Sequence, residues 1–494
     1  MHDFGFWSVI PPVAAILLAI RTRQVFVSLL FGIWLGWIII GKGNILTGTI
    51  DTIQGMVDVF KDDNNTRTII FTLLIGILIT YVQRSGGVEG FIHAVNRSLV
   101  RMEKRKKGQN RMVVQLLAAL TGLVIFVESN ISVLTVGTLY RPVFDKLKLS
   151  REKLAYLADS TSAPSSILVP FNAWGAFIMG LLVVQGFDKP FHTLFRAFPY
   201  NFYPMVAVAL VLYLVLSRKD YGPMKRAEKR ASEEGKVLAD DAIPMVSSEI
   251  TFLEKKEGLP PRAINMIIPI AIMVLMMPLM LIYTGWEGIE DPVFNSFRSN
   301  IFEAIGNGSG SASVLYSVTA AVLAGIILYA IQRLLSGKEL VELALKGMSG
   351  MVSLALLMVL AFALSGLCRE LGTGEYVADV TKAWLSPNLV PFIVFLTSCF
   401  IAFSTGTSWG TFAIMISISV PMAQTLDANV YLAIAASLGG GVFGDHCSPI
   451  SDTTIISSMA SASDHIDHVK TQLPYALTAG TATALLYLIL GFAL

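Results

Sequence analysis

Apolar runs of roughly bilayer length recur along the whole chain, separated by short polar segments. Ala263–Tyr283, Ala312–Ile331, Met351–Leu367 and Pro474–Leu494 each approach the ~20 residues that carry a helix across a hydrocarbon core. Phe6–Ile20 opens the series. It lacks a basic leader, holds Pro11-Pro12 and is followed at once by Val25–Ile40, so it reads as a first mature helix rather than a secretory signal. In the first half, residues 6–20, 24–41, 67–83, 153–186 and 201–217 read as full spans. The segment between Arg111 and Arg141 is basic at both ends and too short for two spans. Two half-helices of about 14 residues each would reach ~20 Å into the membrane and return, which predicts a re-entrant hairpin over 112–140 with Glu128-Ser129-Asn130 at its tip. One tilted span beside a misplaced basic loop is the alternative.

The second half repeats this pattern. Arg141-Pro142 is followed 28 residues later by Pro170, and Val420-Pro421 is followed 28 residues later by Pro449, both pairs related by an offset of 279. In that register the first tip falls on Thr407-Ser408-Trp409, and Ser160–Asn172 falls on Gly439–Ser451. Upstream, Arg84–Val95 pairs with Arg369–Val380 at an offset of 285. Ordered matches of this kind indicate an internal repeat. Five spans in the first copy would invert the second. The expected fold is therefore an all-α polytopic membrane protein of two inverted-topology repeats: 1–217 with hairpin 112–140 and broken helix 153–186, a linker 218–262, and 263–494 with hairpin 389–420 and broken helix 429–463. Inverted repeats with broken helices meeting at the midplane are a design of secondary transporters.

Composition supports this class. Of 494 residues, 54% are apolar and 15% charged, against about a quarter charged in soluble domains, so the chain cannot coat itself for water. The net charge of +2 hides an asymmetry, because 28 of the 37 Lys and Arg fall in 21–23, 97–111, 141–153, 218–262, 332–349 and 464–473. Positive loops stay inside, which predicts a cytoplasmic linker, external N- and C-termini, and a multi-pass protein of the cytoplasmic membrane. The basic clusters are short and split by spans, which argues against nucleic acid. Cys368, Cys399 and Cys447 lie in or beside apolar segments and read as packing residues. The run Lys225-Arg-Ala-Glu-Lys-Arg230 reads as the solvated face of a tether.

Open backbone at membrane depth must line a cavity or be buried against protein. Gly439-Gly-Gly-Val-Phe-Gly-Asp445-His446-Cys-Ser448-Pro449-Ile-Ser451-Asp452-Thr453-Thr454 is such a stretch. Its carboxylates, hydroxyls and freed carbonyls are the ligands hard cations want. Capping could occupy one Asp, but insertion of a carboxylate at a helix centre costs about 2.5–3.5 kcal/mol, too much for capping alone. Asp159 is the only ionisable group of the counterpart break, whose polar residues include Ser160 and Asn172. Asn130 beside Glu128 at the first tip, and Thr405, Thr407 and Ser408 at the second, are expected to line the same depth, although packing through small residues would also explain the hydroxyls. His446 reads equally as a proton-relay group and a core histidine. No P-loop, paired CxxC, dinucleotide fingerprint or HExxH motif appears, so an enzyme or a nucleotide-driven pump is not expected.

The chain resembles the NhaC family of Na⁺/H⁺ antiporters, whose relatives include a malate/lactate antiporter. The resemblance rests on Trp7-Ser-Val-Ile-Pro-Pro12, Phe31-Gly-Ile-Trp-Leu-Gly36, Gln83-Arg-Ser-Gly-Gly87, Leu134-Thr-Val-Gly137, Ser150–Tyr156, Asp159-Ser-Thr-Ser-Ala-Pro164, Trp174-Gly175 and above all Gly444-Asp-His-Cys-Ser-Pro-Ile-Ser-Asp-Thr-Thr454. It implies Asp159, Asp445, Ser448, Asp452 and Thr453 as functional positions. One departure stands out: where family members often carry Asp-Asp-Tyr-x-Asn before the Leu-Thr-Val-Gly run, this chain reads Val127-Glu128-Ser129-Asn130. The expected activity is exchange of Na⁺ or a similar monovalent cation for H⁺, with Asp445 and Asp452 as Na⁺ ligands and no cofactor. The alternatives are Na⁺- or H⁺-coupled carriage of a small organic anion or amino acid, and an ion channel, which would need a ring-forming filter. The expected partners are the bilayer, the cation, the proton, in the alternative an organic solute, and a second copy in a homodimer.

Overall fold

The computed structural model describes residues 4–22, 24–91, 93–94, 110–126, 128–244, 256, 258–289, 297–381 and 385–494. Most of the basic segment 97–111, part of the linker, and positions 92, 95 and 127 of the motifs above lie outside them. Among the described residues, helices account for nearly all regular structure, and eight are long and apolar enough to cross a membrane. Val25–Ile40, Arg111–Val124 and Ala173–Val184 are shorter apolar helices. Peripheral spans bury one face and show the other: Leu275, Leu279 and Tyr283 of Ile264–Gly285, Ile327 and Ile331 of Gly310–Ile331, and Ile489 and Phe492 of His465–Ala493 point outward. Exposed aliphatic faces in so many helices are solvated by lipid, not water.

The interrupted helices lie at the centre. Glu152–Ser160 is buried at every position, and so is nearly all of Val430–Cys447. The second is seated by small residues. A side chain at Gly440 would strike Ser398 and the Phe395 carbonyl, and one at Gly444 would strike Ala402 and the Phe403 backbone. Glycine there lets Val430–Cys447 press against Val390–Thr405 backbone to backbone. Gly76 and Gly347 do the same for Asp63–Arg84 and Gly337–Glu370, where Tyr81 also donates to the Leu340 carbonyl at 2.9 Å.

The halves share a register. Helices begin at Ser129 and Ser408, at Arg151 and Val430, and at Ala173 and Asp452, each pair 279 residues apart. Ser129–Lys146 and Ser408–Thr425 are both 18 residues long, with Pro142 and Pro421 at the same internal position.

Several expected connections prove to be helices. Ile45–Asp58, in a stretch that reads as a loop, packs through Gly48 and Gly55 on Ile38 and Trp37. Pro190–Ala197 forms a short helix, and 464–473 belongs mostly to the helix His465–Ala493. Gly337–Glu370 runs unbroken for 34 residues, roughly 50 Å at 1.5 Å per residue, so its Lys- and Glu-bearing first turns stand beyond a hydrocarbon core.

Candidate functional site

The second broken helix stops at Cys447, passes through Ser448-Pro449-Ile450-Ser451 as a turn, and resumes at Asp452. Asp445 stands in the last turn before the break. Its carboxylate accepts from Ser408 Oγ at 2.8 Å and Ser451 Oγ at 2.6 Å, and Ser451 meets Thr453 Oγ1 at 3.0 Å. Asp452 is the first residue after the break. One of its oxygens accepts from the Thr453 N–H at 2.9 Å, and Asp445 and Asp452 are near enough for their charges to interact.

Both aspartates open onto an internal cavity of about 280 Å³, whose walls also include Glu128, Asn130, Thr407, Thr453, Trp174 and Trp409, with Phe26 and Leu357 among the apolar ones. Among the described residues, its lining holds three carboxylates and no Lys, Arg or His. Four helices begin at this cavity, at Ser129, Ala173, Ser408 and Asp452, and their N-terminal dipole ends favour negative charge there. Glu128 serves partly as a cap, accepting from the Ile131 N–H at 2.7 Å. Trp174 and Trp409, each the second residue of its helix, pack at 5.0 Å between centroids and join the two halves as one wall.

A second polar cluster lies off the cavity. Asp159 is fully buried; one carboxylate oxygen accepts from Gln472 Nε2 at 2.7 Å and the other has no partner. Ser160 Oγ and Tyr203 OH hold the two nitrogens of His446 at 2.7 Å each, and Gln472 also donates to the His446 carbonyl.

Of the residues singled out from sequence, Glu128, Asn130, Thr407, Asp445, Asp452 and Thr453 therefore meet at the cavity, with Ser408 reaching it through Asp445. Asp159, Ser160 and His446 form the second cluster. Asn172, Thr405 and Ser448 stand in framework positions. Asn172 caps Ala173–Val184 by accepting from the Trp174 and Gly175 N–H groups, and its amide donates to the Phe126 and Ser166 carbonyls. Thr405 donates to Ile401 O, and Ser448 ties the break to Phe403 O. Sequence reading missed His468 and Gln472. Their one local signal is spacing, two polar residues four apart, and the polar first turns of His465–Ala493 hide it.

Buried carboxylates, broken helices and a carboxylate-lined cavity inside a multi-span bundle define a secondary transporter. Residues 176–492 match the Na⁺/H⁺ antiporter family, and the chain belongs to that family. It is 32% identical to an uncharacterised protein of Haemophilus influenzae over 98% of this chain and 91% of that one. It is 28% identical to the malate-2H⁺/Na⁺-lactate antiporter of Bacillus subtilis over 32% of this chain and 34% of that one. The fold is similar to that of the YdaH transporter of Alcanivorax borkumensis, with a TM-score of 0.56 at 14% identity, covering 90% of this chain and 89% of that one.

Proposed function

We propose that the protein exchanges Na⁺, or a similar monovalent cation, for protons at the carboxylates that flank the second break. The observation that carries this reading is the cavity lined by the three carboxylates of Asp445, Asp452 and Glu128, with no basic residue among its described lining. Asp445 is buried and Asp452 stands open to the cavity, and two ionised aspartates side by side, one of them out of water, are costly unless a cation or proton joins them. Either species removes the penalty and each displaces the other, so the loaded states move and the empty charged state does not. Ser408 and Ser451 hold Asp445 in place from two different elements. Asp159, off the cavity, serves in this reading as a proton-holding group. The two halves act as inverted repeats, with the linker cytoplasmic and both termini external; cysteine labelling that reached residues 218–244 from outside the cell would overturn that orientation.

A second reading is favoured by the cavity's size. About 280 Å³ far exceeds a bare monovalent ion, and four helix N-termini beside three carboxylates suit a small solute bearing both a carboxylate and an ammonium group. Purified protein in liposomes with an internal pH dye separates the two. A Na⁺ gradient alone driving protons supports exchange, whereas proton or Na⁺ movement that appears only with an amino acid or hydroxy acid present replaces it with the solute carrier.

A further inference from the structure

A chain of buried polar groups leads from the linker-facing surface to Asp159 without touching the cavity. Its outer end is His465, half-buried in the first turn of His465–Ala493, beside Asp464, whose carboxylate accepts from the linker N–H of Ile243 at 2.9 Å. His465 Nε2 lies 2.7 Å from the Pro449 carbonyl, and its Nδ1 lies 3.0 Å from Ser458 Oγ. Ser458 Oγ is also 2.9 Å from His468 Nδ1 and 2.9 Å from the Thr454 carbonyl. His468 Nε2 is 2.8 Å from Gln472 Oε1 and 3.9 Å from an Asp159 oxygen.

The partners settle where the hydrogens are. A carbonyl only accepts, so His465 keeps a hydrogen on Nε2, facing Pro449. Gln472 uses its amide nitrogen on Asp159 and the His446 carbonyl, so its oxygen faces His468, and His468 likewise keeps its hydrogen on Nε2. Both neutral imidazoles then present a bare Nδ1 to the same hydroxyl. Ser458 has one hydrogen and three acceptors around it, the two Nδ1 atoms and the Thr454 carbonyl. The cluster is one proton short, and a proton added to either ring completes it.

We propose that His465, Ser458 and His468 form a proton path between the linker side and Asp159, separate from the cation's cavity; it rests on the exchange reading above. A proton taken up by His465 leaves its Nδ1 for Ser458 Oγ as the Ser458 hydrogen passes to His468 Nδ1. His465 returns to neutral and His468 becomes imidazolium. Movement of about 1 Å closes the 3.9 Å gap to hydrogen-bond distance, and the Nε2 proton of His468 passes to that Asp159 oxygen, the one that also accepts from Gln472. His468 is left neutral with its hydrogen on Nδ1, and the next proton passes only after that hydrogen has been exchanged for one on Nε2. The charged groups around the outer end are Asp464, Asp467 and Lys470 on the same helix, Arg151, which donates to the Ala462 carbonyl at 3.0 Å, and the Glu152–Arg230 pair. Those around the inner end are Asp159, Asp445 and the neighbouring His446.

The test uses the full chain in liposomes and two readouts, Na⁺-driven proton movement and Na⁺–Na⁺ exchange, which needs no net proton. His468→Gln and the smaller change Ser458→Ala are each expected to slow proton-coupled flux at least about tenfold, as loss of a positioned proton-transfer group does, and to leave Na⁺–Na⁺ exchange within about twofold of wild type. Equal loss of both readouts in both variants means the cluster is structural and overturns the path. So does unchanged proton-coupled flux in well-folded His468→Gln. Wild-type protein that exchanges Na⁺ for Na⁺ but moves no protons removes the antiport reading, and the path with it.

Discussion

Asp452 and Asn172 begin equivalent helices 279 residues apart in register, Asp452 as first residue and Asn172 as the cap before Ala173, yet their surroundings assign them different work. Asn172 spends its oxygen on two N–H groups and its amide on two carbonyls. Asn172→Ala is expected to cost about 2–4 kcal/mol, a lost cap plus stranded buried carbonyls, visible as a lower unfolding temperature of the purified protein. A substrate-contacting Asn172 would instead lose affinity at unchanged stability. Asp452 keeps one oxygen on the Thr453 N–H and turns the carboxylate into the cavity. Asparagine retains that acceptor and removes the charge, so Asp452→Asn should unfold within about 3 °C of wild type, a change of under ~1 kcal/mol. Cation-driven proton flux should fall by roughly two orders of magnitude, the usual weight of a proton-transfer group. Near-normal flux in folded Asp452→Asn protein would take this residue out of the mechanism and leave Asp445 and Asp159 to carry it.

At the scale of elements, what matters is how closely the broken helix approaches its neighbour. Gly444 sits where any Cβ would enter Ala402 and the Phe403 backbone, while Gly366, in Gly337–Glu370, has nothing near that position. Gly444→Ala is therefore expected to destabilise by about 1–3 kcal/mol through overpacking, and Gly366→Ala to be neutral or stabilising by under ~1 kcal/mol, as alanine is in a helix interior. Thermal unfolding of the two variants side by side checks the contrast, and equal effects would remove the packing argument. The break after Cys447 was legible in the sequence, because Pro449 acts on its own few residues, whereas Pro142, Pro421 and the glycines before Asp445 sit inside continuous helices. The starts of the hairpin and broken helices fall at the 279-residue offset read from those prolines. Ile45–Asp58 was not legible: Thr, Gly, Gln and Asp interrupt its apolar positions, and it lies against Val25–Ile40 rather than spanning alone. Nor were the partners of Asp159, since Gln472 lies 313 residues away and no local pattern reports a contact across that distance.

Across the whole molecule, the linker is more than a tether, because it is bolted to the start of the first broken helix. Glu228 accepts from the Ser150 N–H at 2.8 Å and its hydroxyl at 2.7 Å, and Arg230 pairs with the buried Glu152 at 2.7 Å. Further along, Asp464 receives the Ile243 N–H. Burial pushes the Asp464 carboxyl up, but the N–H groups of Ile243, Asp467 and Ile466 outweigh it and hold the group below the ordinary carboxylate range. A lowered folded value means this attachment is fully present above the unfolded value of about 3.9 and weakens as pH falls through the folded value. Proteolysis of the linker near residue 243 should therefore quicken only in strong acid. The firmest bolt is Lys153. Its side chain is fully buried, its ammonium meets Asp220 at 2.5 Å, Tyr475 OH donates to the same Asp220 oxygen at 2.6 Å, and the rings of Tyr156 and Tyr475 flank the charge at 5.4 and 5.6 Å. Removing one partner of such a pair leaves the other charge stranded, so Lys153→Met alone should cost about 3–5 kcal/mol. Adding Asp220→Asn removes the stranded charge while Asn still accepts from Tyr475, so the double variant should be more stable than Lys153→Met by about 1–3 kcal/mol, the coupling expected of groups in one network. Thermal unfolding of the four proteins in the cycle measures this. Strictly additive losses would mean that Lys153 and Asp220 do not act as a pair and that the linker is held by its other contacts, those of Glu228, Arg230 and Ile243.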